Sequence, residues 1–134
     1  MKLNWLAILC AGVAYWVLGF VWYSLLFGKM WAAALKEYRG ERAASGGGMA
    51  GKMIVTFLAN IVTATVLAYL LRHVAVTDMT HALKIGAYAA AGFSIMALTI
   101  AKVWEERPSK IWMIDASYHL IGCVIAAAIL FLWP

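Results

Sequence analysis

Four long apolar runs leave this chain one practical solvent. They cover residues 3–27, 53–71, 82–104 and 111–133, each 19 to 25 residues long. A helix of about 20 residues, rising about 1.5 Å per residue, crosses a hydrocarbon core about 30 Å thick. Lipid offers no partner to a free backbone N–H or C=O, so only helices and closed barrels can span it. A barrel needs short segments that alternate apolar and polar residues, and these runs do not alternate. Water is a poor alternative. Only 13% of the 134 residues are charged and 66% are hydrophobic, whereas a soluble domain is about one quarter charged and a short one hides only about 60–70% of its unfolded surface. The expected fold is all-α: one domain, a transmembrane four-helix antiparallel bundle in contact with the lipid bilayer.

The connections set the topology. The segment 28–52 is the longest and opens with Trp31, Leu35 and Tyr38 at helical spacing, with Lys36 and Arg39 on other faces. That pattern suits a short interfacial helix after the first span, or a plain extension of the first helix. Gly40–Gly48 reads as a flexible tether. The segment 72–81 is short, and Pro108 stops one helix within the tight turn 105–110. Short connections favour antiparallel neighbours. Lys29, Lys36, Arg39, Arg42, Lys52, Lys102, Arg107 and Lys110 fall on the side of the first and third connections, against Lys2, Arg72 and Lys84 on the other. The richer side is expected to be cytoplasmic, which puts loop 28–52 inside and both termini outside. Trp5, Trp22, Trp31, Trp104, Trp112 and Trp133 lie near the span ends as aromatic belts. The first run exceeds the usual h-region of about 7–15 residues, and Leu9 stands where lipoprotein cleavage before Cys10 needs a small residue, so a retained helix is expected.

Composition excludes several function classes. A net charge of +5 is spread between apolar runs, which fits anionic headgroups and implies no nucleic-acid partner. Cys10 and Cys123 lie inside apolar runs and read as small buried hydrophobes. No metal-ligand spacing, phosphate loop or nucleophile–base set is present in the sequence, so no cofactor, metal or enzyme activity is expected. Stripes of small residues mark helix contacts: Gly86, Ala90 and Ser94 in the third run, Gly122 and Ala126 in the fourth, Gly12 and Gly19 in the first. Such stripes also suit a homo-oligomer or a membrane protein partner.

Polar residues inside a span are the functional suspects. Asp115 and His119 are one helical turn apart and share a face, with Tyr118 bordering it. Asn60 and Thr56, Ser94 and Thr99, and Tyr23 and Ser24 reach similar depth from the same membrane side. An antiparallel bundle allows these positions to converge on one polar pocket, open to the cytoplasm or filled by water. The structural alternative is that Asp115 pairs with Arg107, Lys110 or Lys102 near the start of its helix, and that Asp115 alone satisfies His119. Tyr15 and Trp16 sit mid-span, as a helix contact or a ligand wall.

The blocks Asn4–Ala7, Trp22–Trp31, Trp104–Arg107 and Ile114–Tyr118 resemble a bacterial integral membrane family catalogued as domain of unknown function 1761. Leu25 and the Ala101–Lys102 pair depart from its usual pattern, which has Pro and Asn-Tyr there. The resemblance implies a multi-helix protein of the bacterial inner membrane and supplies no activity, substrate or cofactor. Its matched residues, Tyr23, Ser24, Lys29, Trp31, Glu105, Arg107, Asp115 and Tyr118, cluster at one membrane face. Two functions follow as expectations. One is a non-enzymatic binding, scaffolding or accessory protein with a polar cluster on the cytoplasmic side. The other is a small-solute or proton-coupled transporter or channel using Asp115 and His119.

Overall fold

The computed structural model describes residues 2–40 and 49–134. Six α-helices and two π-helical segments make up the described architecture. They run α1 (Trp5–Phe20), a π segment (Val21–Leu26), α2 (Gly28–Arg39), α3 (Met49–His73), α4 (Met79–Ala89), a second π segment (Ala90–Ile95), α5 (Met96–Glu105) and α6 (Ser109–Leu132). Joined through the π segments, they give four helices long and apolar enough to cross a membrane: Trp5–Leu26, Met49–His73, Met79–Glu105 and Ser109–Leu132. The all-α bundle expected from the apolar runs is the fold. Of the Gly40–Gly48 tether, every residue but Gly40 lies outside the described residues.

Local chemistry sets the helix ends. The Asn4 side chain accepts from Ala7 N at 3.1 Å and the Asp78 side chain from His81 N at 2.8 Å, each capping a helix start. α5 stops at Glu106, whose left-handed φ of 54° lets Arg107 N donate to Lys102 O at 3.1 Å. Phe27, with φ −118° and ψ 12°, breaks the chain between the first span and α2.

Small residues decide how the spans meet, because apolar burial gives helices in lipid no reason to associate. Cβ atoms built at three glycines show how tight the contacts are. At Gly12 it would collide with Ile61 of α3; at Gly86 it would stand 2.7 Å from the Cys123 carbonyl oxygen of α6, and at Gly122 2.5 Å from the Tyr15 ring of α1. These contacts also fix direction. Asn4 reaches Pro134 O while Trp22 reaches Ile114 O, so α1 and α6 run antiparallel. Gly86 meets Cys123 and Thr99 meets Trp112, so the third span opposes α6 as well.

α6 is the central helix, touching α1, α3 and the third span. It has the most buried residues, including Ala116, Tyr118, Cys123 and Ala126. The third span is the opposite case. Only Ala82, Gly86 and Ala90 are buried in it, while Phe93, Ile100, Val103 and Trp104 are exposed. An apolar surface of that extent belongs against lipid rather than water.

Candidate functional site

Two polar layers sit between the spans. The deeper one centres on Tyr15, near the middle of the first span and only 1% exposed. Its hydroxyl lies 2.6 Å from His119 Nδ1 and 3.9 Å from Cys123 Sγ. Tyr118 packs edge-on against the Tyr15 ring, with centroids 5.2 Å apart. The Tyr118 hydroxyl donates to Tyr15 O at 3.3 Å and accepts from Asn60 Nδ2 at 3.3 Å. Burying these groups is tolerable only because each finds a partner; no enclosed side-chain nitrogen or oxygen is left unbonded among the described residues.

The second layer lies one turn nearer the end of the bundle that carries Lys29, Lys52, Arg107 and Lys110. There the Tyr23 hydroxyl donates to Asp115 Oδ1. Tyr23 packs edge-on against Tyr118 and against Trp31 of α2, each with centroids 5.3 Å apart. The π segment holds Trp22 and Tyr23 in adjacent positions that both reach α6: Trp22 Nε1 donates to Ile114 O at 3.1 Å. The wider turn of a π segment is a device common at functional positions.

Above this layer opens a cavity of about 820 Å³. Asp115, Tyr118, Trp16 and Gly19 line its inner part; Arg39, Met49, Lys52, Glu105 and Arg107 line its outer part. α2 forms one wall with Trp31, Leu35 and Tyr38, and the Tyr38 hydroxyl ties it to Glu105 O at 2.8 Å. The helical face expected to lie against the interface is therefore turned toward the bundle. Arg107 pairs with Glu105 at 2.6 Å.

The structure brings most of the sequence-derived site residues together. Tyr23, Ser24, Glu105, Arg107, Asp115 and Tyr118 line one cavity, as does Thr56. Asn60 and His119 belong to the layer beneath it. Ser94, in the second π segment, is not among the residues that line the cavity, although Glu105 at the end of the same span is. Thr99 is taken up by Trp112 Nε1 at 3.0 Å.

The partners differ from those expected. Asp115 bonds Tyr23, and Arg107, one of the cations considered for it, pairs with Glu105. His119 bonds Tyr15 in place of Asp115. Tyr15 is the helix contact that its mid-span position suggested; its bond to His119 was not legible in the sequence. The signal for that contact was Gly122 on another span, whose bare backbone gives the Tyr15 ring its slot. Among the described residues, no group of three His, Cys, Asp or Glu side chains is placed to hold a metal ion.

No curated protein and no solved structure matches the chain. A family model does, over residues 6–131. With four membrane-length apolar helices behind nearly the full extent of that match, the chain belongs to the family described as Protein of unknown function (DUF1761).

Proposed function

We propose that this protein is a non-enzymatic binding protein of the bacterial inner membrane, with both termini on the periplasmic side. Its ligand site is the cavity at the cytoplasmic end. The observation that carries the reading is the shape of the space between the spans. A cavity of about 820 Å³ falls within the range of about 300–1,000 Å³ typical of small-molecule sites. Its wall combines aromatic rings with a few convergent polar groups, Tyr23, Asp115 and Tyr118 among them. Beneath it the spans are packed shut: Ala11, Tyr15 and Ala64 are each at most 1% exposed. A separate cavity of about 490 Å³ at the other end, lined by Asn4, Arg72 and Pro134, lies beyond that layer. A site closed at its inner end favours binding over a continuous conduit. Orientation rests on the bias of eight Lys and Arg to three toward the cavity end.

The test is chemical access. Ser24 and Thr56 line the cavity. In a background with Cys10 and Cys123 replaced by alanine, Ser24→Cys and Thr56→Cys are expected to react with a membrane-impermeant methanethiosulfonate. The reaction should occur from the cytoplasmic face of inverted vesicles and not from the outside of intact cells. A thiol facing hydrocarbon does not ionise and would not react. Silence at both positions from both sides would mean that the cavity is filled by lipid, and the binding reading would fail.

A further inference from the structure

Which chemistry the cavity recognises follows from its two carboxylates and its rings. Glu105, at the outer part, is half exposed and occupied by Arg107 at 2.6 Å. Asp115 is different. Oδ1 accepts from the Tyr23 hydroxyl, and no Lys or Arg nitrogen lies within 4.0 Å of the carboxylate among the described residues. Its other oxygen, Oδ2, has no hydrogen-bond partner among them, yet no side-chain oxygen is both enclosed and unbonded. Asp115 itself is only partly buried, and the space it adjoins is the cavity that it lines.

Around that space stand Trp16, Phe20, Tyr23, Trp31 and Tyr118. Aromatic faces carry negative quadrupole density and attract cations; carboxylates do so more strongly, and both gain strength away from water. An anion would meet repulsion from both. The cations on the wall do not reverse this balance. Arg107 is held by Glu105 and acts on Asp115 only from beyond 4.0 Å, while Arg39 and Lys52 are exposed, where the phosphates of the inner leaflet can serve them.

We propose that the cavity binds an organic cation with an apolar or aromatic body, its charge held by Asp115 and its body by the aromatic wall. This rests on the reading of the cavity as a ligand site and adds the ligand's charge. The ligand enters from the basic end and stops at Tyr118, whose hydroxyl is already committed to Tyr15 O and Asn60.

Tetraphenylphosphonium and tetraphenylborate supply the test, because they match in size and shape and differ in the sign of charge. Binding to the full-length protein in nanodiscs would be followed by equilibrium dialysis and tryptophan fluorescence. With each ion measured alone against empty nanodiscs, saturable phosphonium binding is expected, and no saturable binding of the borate. Asp115→Asn should weaken it at least tenfold, Asp115→Glu should restore it to within a few-fold, and Lys84→Gln at the far end should leave it unchanged. Melting and gel filtration check that each variant is folded. If Asp115→Asn does not fold, Trp31→Ala takes its place, with an expected loss of about threefold or more. Phosphonium binding indifferent to both variants would overturn the proposal. Saturable borate binding that tightens in Asp115→Asn would overturn the cation and leave the ligand site standing. If neither ion binds, the cation is likewise overturned, and the reactivity of Ser24→Cys then decides separately whether the ligand site survives.

Discussion

Truncating Tyr15 to alanine is expected to destabilise the bundle by about 2–4 kcal/mol, a large part of a marginal total. The ring fills the slot between Gly122 and Tyr118 and is only 1% exposed. In a soluble core such a truncation costs about 3–5 kcal/mol. Within lipid the water-transfer share falls away, and the lost packing remains. Tyr15→Phe separates the ring from its hydroxyl. It removes the 2.6 Å bond to His119 Nδ1 and should cost only about 0.5–2 kcal/mol, the range of polar contacts between membrane helices. Thermal or denaturant melts in a mild detergent read both. A structural hub at Tyr15 requires the alanine variant to be clearly the worse of the two. Equal, small effects would show that the deeper polar layer does not hold the helices together.

The second large effect is expected at Gly86. A Cβ there would stand 2.7 Å from the Cys123 carbonyl oxygen and 2.9 Å from Ala127 Cβ. The first is backbone, so no side chain can swing aside, and the third span must move away from α6. Gly86→Ala should therefore cost about 1–3 kcal/mol, the usual penalty for overpacking, although alanine is the better helix former by about 1 kcal/mol. Gly92 provides the control on the same span, since a Cβ placed there would meet nothing within 4 Å. Gly92→Ala should be neutral or slightly stabilising in the same melt. If the two substitutions behave alike, the close approach of the third span to Cys123 is not part of the native packing.

Much of the fold was legible in the residues because one physical constraint dominates. Lipid enforces helices of a set length, so apolar runs alone revealed the four spans. Helical spacing likewise put Asp115 and His119 on one face and grouped Trp31, Leu35 and Tyr38. Partners across helices were not legible. Spacing within α6 says that Asp115 and His119 are close; it does not say that the first span runs past them with a tyrosine for each. Ser94 shared a depth with the site residues, yet depth does not tell which residues line the cavity. Basic residues near a carboxylate suggested an ion pair for Asp115, whereas Arg107 sits two residues from Glu105 and reaches it first. The two π segments leave no mark that periodicity detects, because both lie in continuous apolar runs.

The proposed ligand site depends on which water layer the basic end meets. Single cysteines at Lys36, Thr77 and Glu106, in a chain whose Cys10 and Cys123 are alanine, would be labelled with an impermeant maleimide on intact spheroplasts and on inverted vesicles. Thr77 is expected to react only from outside, and Lys36 and Glu106 only from the cytoplasmic side. Lys36 and Glu106 reacting on opposite faces, or either of them reacting from outside, would contradict a four-crossing bundle with its cavity open to the cytoplasm.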